Sequence, residues 1–232
     1  MSTATLPPPA FVPQGAVAPP PVQPENRIVL DAASWHMYVA IGDVLGERSN
    51  VRVTYDRGRL EVMTLSHPHE WLKNLFGRLV ETTAEEAGTA IQVGGQMTFR
   101  DEERDRGFEP DQCYWITNEP RMRVPHEWRP AADPPPDLIV EVEVSRSALP
   151  RLDIFAAYGV PEIWRFDGQS IRVHLLQPDG TYAESERSPT FPAVPMADIA
   201  MFLVPDPTAD YLAIVRRFRT WVRARLTQQT SS

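Results

Sequence analysis

Cysteine is nearly absent: Cys113 stands alone in 232 residues. One thiol forms no intrachain disulfide and no thiolate metal cluster, and a buried apolar role is the expectation for it. Long apolar runs are missing as well. No stretch reaches the roughly 18 apolar residues that suggest a membrane-spanning helix. The N-terminus carries neither the basic nor the apolar segment of a secretory signal. A cytoplasmic protein without membrane contact is the expectation. Positive charge is scarce: 23 Lys and Arg face 31 Asp and Glu, a net charge of -8. Proteins that live on phosphate backbones usually display basic surface, and this balance counts against one. A local basic patch can coexist with a negative total, and carboxylates at a metal site repel phosphate only until a cation binds.

What remains is an ordinary globular composition, 42% hydrophobic and 23% charged, which at this length fits one domain with an appendage. Residues 1–26 hold Pro7, Pro8, Pro9, Pro13, Pro19, Pro20, Pro21 and Pro24. Proline removes backbone donors and favours extended chain, so this stretch reads as a disordered tether. Residues 27–232 read as one α/β domain: a mixed β-sheet core flanked by helices. Ser34 caps a first helix that Gly46 stops, with Met37, Ile41, Val44 and Leu45 on its apolar stripe. Val51, Val53, Tyr55, then Leu60 and Val62, alternate around Asp56-Arg57-Gly58 and predict a β-hairpin. His67–Gly88 reads as a long helix through Trp71, Leu72, Leu75, Leu79 and Val80. AIQVGGQMTFR, FEPDQCYWI, DLIVEVEVS, EIWRF and SIRVHLL each read as one strand, with a proline-rich loop at 119–136. A short helix begins at Pro150, and Pro178-Asp179-Gly180 marks a turn. The chain closes on an amphipathic helix with Leu212, Val215, Phe218 and Val222 on one stripe and Arg216, Arg217, Arg219, Arg223 and Arg225 around it. Those arginines suit a solvated helix face or a nucleic-acid contact.

Chemistry concentrates in two acid-bearing strands. Residues two apart share a strand face, so Glu109 pairs with Asp111 and Glu141 with Glu143. Acids are poor strand formers and costly to bury unpaired. A compensating cation is one answer: Mg²⁺ or Mn²⁺ held by carboxylates, water and phosphate oxygens. A solvated sheet face or pairing with arginine is the other, and spacing alone leaves the two even. His69 suits a helix cap or a proton-transfer role. Trp71, Trp115 and Trp164 suit the core better than base stacking.

The blocks VTYDRGRLEVMT, SHPHEWL, RGFEPDQCYWI, DLIVEVEVS and RLDIFAAYGVPEIW, in this order and spacing, resemble the Uma-type restriction endonuclease family of the PD-(D/E)XK nucleases, over roughly Arg27 to Leu203. The resemblance implies a restriction-endonuclease-like fold and a Mg²⁺- or Mn²⁺-dependent hydrolase acting on nucleic acid, with DNA the first expectation and RNA left open. It puts Asp111, Glu141 and Glu70 at the metal. It puts Arg151 where the family carries lysine, beside the phosphate. Arginine stays protonated and cannot act as a neutral base. Glu143 also stands where a simple PD-ExK pattern has its lysine, so slower chemistry is expected. These two departures and the negative charge favour the alternative, a non-catalytic nucleic-acid-binding or regulatory module on the same scaffold. The sequence is silent on assembly, although cutting both strands is easiest for a homodimer.

Overall fold

A computed structural model describes residues 25–45, 50–143 and 147–230. The tail expected at 1–26 lies outside the described residues except for its last two, and the stop expected at Gly46 lies outside them too. Those two tail residues belong to the fold: Glu25 is buried, and the Asn26 carbonyl accepts the Thr64 amide at 2.9 Å.

Strand β1 (Arg27–Asp31) forms a sheet edge. Helix α1 (Trp35–Leu45) starts where expected, the Ser34 hydroxyl accepting the Met37 amide at 3.2 Å. Only half of its expected stripe packs: Ile41 and Leu45 lie against the core, Met37 and Val44 are exposed, and Tyr38 and Gly42 are the buried residues. Tyr38 stacks on Tyr55 with ring centroids 5.1 Å apart, and an aromatic pair outweighs the aliphatic stripe in area and contact. Strands β2 (Val51–Asp56) and β3 (Arg59–Thr64) make the predicted hairpin. Its loop residues Arg57 and Gly58 have φ of 48° and 88°, the left-handed pair that a tight two-residue hairpin loop needs. Helix α2 (His67–Ala87) starts at His67 and stops at Gly88 as read from the sequence, and the structure adds Ser66 as its N-cap.

Two segments expected as single strands divide instead. AIQVGGQMTFR breaks at Gly94-Gly95 into β4 (Gln92–Val93) and β5 (Phe99–Asp101). FEPDQCYWI breaks at Pro110, leaving Phe108 to end β6 (Arg106–Phe108) and Gln112 to begin β7 (Gln112–Trp115). In each case the halves join different sheets. Proline has no N–H for a ladder, so the chain crosses between sheets at Glu109, Pro110 and Asp111. The proline-rich loop contains a single helical turn, α3 (Glu119–Met122). Strand β8 (Leu138–Val142) lies parallel to β9 (Glu162–Phe166), joined through α4 (Arg151–Tyr158). Strands β10 (Ile171–Leu176) and β11 (Tyr182–Ser185) follow as a hairpin around the predicted turn. Helix α5 (Met196–Leu203), which the sequence reading did not anticipate, precedes α6 (Tyr211–Thr230).

The strands form two sheets, β1-β3-β2-β6-β5 and β11-β10-β9-β8-β7-β4. Every residue of β8 is buried, as suits a strand with covered faces on both sides. Leu138, Val140 and Val142 enter a core made with α2, α5 and α6, while Ile139 enters a second core with Phe99, Phe108 and α4. Cys113, Trp115 and Trp164 are fully enclosed, and burial pushes the Cys113 thiol far above its ordinary range. Among the described residues no helix is long and apolar enough to cross a membrane.

Helix α6 buries Ile214, Val215, Phe218 and Val222 and leaves Leu212 exposed. Its arginines face acids of neighbouring elements. Arg219 meets Glu85 and Glu86 of α2 at 2.9 Å, Arg225 meets Asp198 of α5 at 2.9 Å, and Arg217 meets Asp206 at 2.9 Å. They hold the helix to the body. Arg219→Ala is accordingly expected to lower the urea midpoint only slightly, as for other solvent-screened pairs. A large drop would show that this contact is not screened.

Candidate functional site

Alternation places the site between the two sheets. On β8, Glu141 shares its side with Ile139, away from the core under α2. On β2, Val53 and Tyr55 pack with α1 residues, which turns Arg52 and Thr54 toward the second sheet. The sheet-crossing segment ends on Asp111, fully buried just before β7.

Asp111 and Glu141 meet there. The Asp111 amide donates to Glu141 Oε1 at 3.2 Å, and the Val142 amide donates to Asp111 Oδ2 at 2.7 Å. Asp111 Oδ1 takes the Arg52 guanidinium and, at 2.9 Å, His69 Nε2. Arg151 binds Glu141 with two nitrogens, Nε on Oε2 at 3.1 Å and Nη2 on Oε1 at 2.8 Å. It also reaches Thr54 Oγ1 and the Glu109 carbonyl, each at 3.0 Å. Arg52 Nη1 stands 3.6 Å from Glu141 Oε2. Behind His69, Nδ1 lies 2.8 Å from Glu25 Oε1. His69 thus stands between two buried carboxylates.

The charges are strongly perturbed. Burial would raise the Glu141 carboxyl, but the Arg151 and Arg52 guanidinium groups outweigh it and hold it below the usual glutamate range. Burial lowers Arg52, opposed by Glu141 and reinforced by the like charge of Arg151. Burial raises Glu109, which a hydrogen bond from Thr98 offsets only in part.

The structure therefore brings together Asp111, Glu141 and Arg151. Glu70 lies one residue from His69, but its carboxylate binds Lys73 Nζ at 2.7 Å. Lys73 is itself buried and bonded to Gln96. No contact from Glu70 to Asp111 or Glu141 is seen among the described residues. Nor, among them, do three or more His, Cys, Asp or Glu side chains form a group that could hold a metal ion. Glu143 lies just past β8 and pairs with Arg165 at 2.5 Å. Glu109, expected to share a face with Asp111, sits in the crossing rather than in a strand. Sequence reasoning missed Arg52, Thr54, Lys73 and Glu25. Arg52 had a visible signal: a charged residue between the valines of an alternating strand, where burial demands a partner.

Comparison with known proteins sets this geometry in a family. The model of the Uma2 family, described as "Putative restriction endonuclease", matches residues 35–200. The chain belongs to this family. The match contains Arg52, His69, Asp111, Glu141 and Arg151, so the buried cluster lies wholly within the Uma2 region apart from Glu25. The chain is also similar to a solved structure, the crystal structure of a putative nuclease belonging to DUF820 from Anabaena variabilis, with 14% identity, 65% of this chain and 90% of that chain covered, and a TM-score of 0.46. No curated protein matches the chain at a significant level.

Proposed function

We propose that this Uma2 protein is a divalent-metal-dependent endonuclease that hydrolyses DNA phosphodiester bonds at Asp111 and Glu141. The observation that carries the reading is the meeting of two carboxylates, from the sheet crossing and from β8, with a cationic group set between them. Their donor chemistry fits Mg²⁺ or Mn²⁺, hard ions that take carboxylate oxygens. The position between them already holds positive charge in the form of the Arg52 guanidinium, which stands in for a cation. Asp111 and Glu141 would hold the ion, with Glu70 proposed as a third acid in the same region.

When bound, such an ion acidifies a coordinated water and offsets charge on the leaving oxygen. The protein's own residues prepare that site. The Val142 amide and His69 fix the rotation of Asp111. Arg151 fixes Glu141 through a two-pronged contact, which favours the carboxylate form and a single orientation. Two more of its donors go to Thr54 and the Glu109 carbonyl. Arg151 is therefore a positioning residue, and phosphate contact falls to other cations, with Lys73 one turn along α2 from His69 and Glu70 proposed for it.

A specific observation favours a second reading, a non-catalytic nucleic-acid-binding module. All four oxygens of Asp111 and Glu141 already have a protein partner, and both side chains are enclosed. Supercoiled plasmid incubated with protein and Mg²⁺ or Mn²⁺, beside an Asp111→Ala control and an EDTA control, decides between them. Cleavage by the natural protein that both controls abolish is the expected result. DNA binding with no cleavage under either metal would transfer the protein to the second reading.

A further inference from the structure

The proposed metal site contains two arginines, and they are not held equally. Arg151 is fixed by hydrogen bonds from Nε, Nη1 and Nη2 to Glu141, Thr54 and the Glu109 carbonyl. Arg52 is bonded to Asp111 alone, stands 3.6 Å from Glu141, and has a buried Nε without a hydrogen-bond partner among the described residues. It is 3% exposed, so bulk solvent hardly reaches it. Its neighbours include a like charge, Arg151, competing for the same Glu141. A cation so placed is needed for charge balance yet poorly satisfied in its hydrogen bonds.

Resting on the metal-site reading above, we propose that Arg52 and a divalent cation compete for one position between Asp111 and Glu141, so that Arg52 sets how tightly this protein holds metal. Both bring positive charge to the same two carboxylates, and like charges do not share the space. The ion enters only as the Arg52 guanidinium leaves. The reverse holds too: with Arg52 replaced by a neutral side chain, the buried acids lack a counter-charge that metal can supply.

The test compares the natural protein with Arg52→Gln, with the Arg52→Gln/Asp111→Asn pair, and with Arg59→Gln as an exposed control on β3. Mn²⁺ binding is read by calorimetry and thermal unfolding is followed against Mn²⁺ concentration. Arg52→Gln is expected to bind Mn²⁺ about 10–100-fold more tightly, the scale on which groups around metal ligands shift affinity. Its unfolding temperature should rise with Mn²⁺ more than that of the natural protein. The double variant should lose the gain, and Arg59→Gln should behave as the natural protein does.

Mn²⁺ affinity that depends on Asp111 but is equal with and without Arg52 would overturn the competition and leave the metal-site reading standing. An Arg52→Gln chain that stays unfolded in millimolar Mn²⁺ would also overturn it, because metal would then not replace the guanidinium. Absence of Asp111-dependent binding in every variant would remove the metal site itself. A gain in Arg52→Gln with no plasmid cleavage by the natural protein would keep the competition and discard the nuclease.

Discussion

Replacing Arg151 with alanine is expected to remove about 3–5 kcal/mol of folding stability. Arg151 is 8% exposed and its partner Glu141 is 4% exposed, so truncation leaves a buried carboxylate with only Arg52, at 3.6 Å, as counter-charge. Whole domains have only about 5–15 kcal/mol to lose, which makes this among the most damaging substitutions available. The cost is that of an under-compensated buried charge and not the worth of the pair. Replacing both partners with apolar groups of similar volume is often neutral or better, so Glu141→Met/Arg151→Met should recover most of the loss. Arg151→Lys should fall between, because an ammonium keeps the charge but not the planar fork that meets Glu141 with two nitrogens. Urea unfolding of the natural protein beside the three variants makes the comparison. A loss below about 1 kcal/mol for Arg151→Ala would mean that solvent screens the pair, and the enclosed cluster would be the wrong picture.

The elements legible in the sequence were those with local signals. The β2–β3 hairpin, both ends of α2 and the β8 strand each carry their cause within a few residues: a left-handed turn, a serine cap, a terminal glycine, a run of β-branched side chains. The misreadings came from tertiary choices. Nothing local tells a strand that its two halves belong to different sheets, so FEPDQCYWI looked continuous although Pro110 marked the break. The buried side of α1 was decided by Tyr55, distant in sequence. The two carboxylates stood out because buried acids demand a partner and because the blocks that resemble the family carry them, and the structure does set them side by side. Their counter-charge was harder to see. The sequence left a metal and an arginine as equal answers, and the structure seats Arg52 and Arg151 against the acids. Arg52 is about 60 residues from Asp111, and only the alternation within β2 hinted that it points inward.

Acid should unfold this protein through the same cluster. Glu141 has a folded-state pKa below its ordinary value because two guanidinium groups override burial. The unfolded chain then binds its proton first, so stability is complete above the ordinary glutamate pKa and drains away as pH falls through the depressed one. Asp133, brought to about 2 chiefly by Arg129, adds a loss as pH falls from the ordinary aspartate value toward that one. Glu109 works in the opposite sense. Burial raises its pKa, so the folded protein holds that proton more firmly, and stability falls as pH rises from the ordinary value through the raised one. Urea midpoints measured from about pH 3 to 8 should therefore pass through a maximum in the weakly acid range. Glu109→Gln is expected to flatten the limb above the maximum and to raise stability at neutral pH. Glu141→Gln should flatten the acid limb while lowering the neutral plateau, since it leaves Arg52 and Arg151 with one carboxylate between them. An acid limb that keeps its full slope in Glu141→Gln would show that the cluster is not what acid attacks.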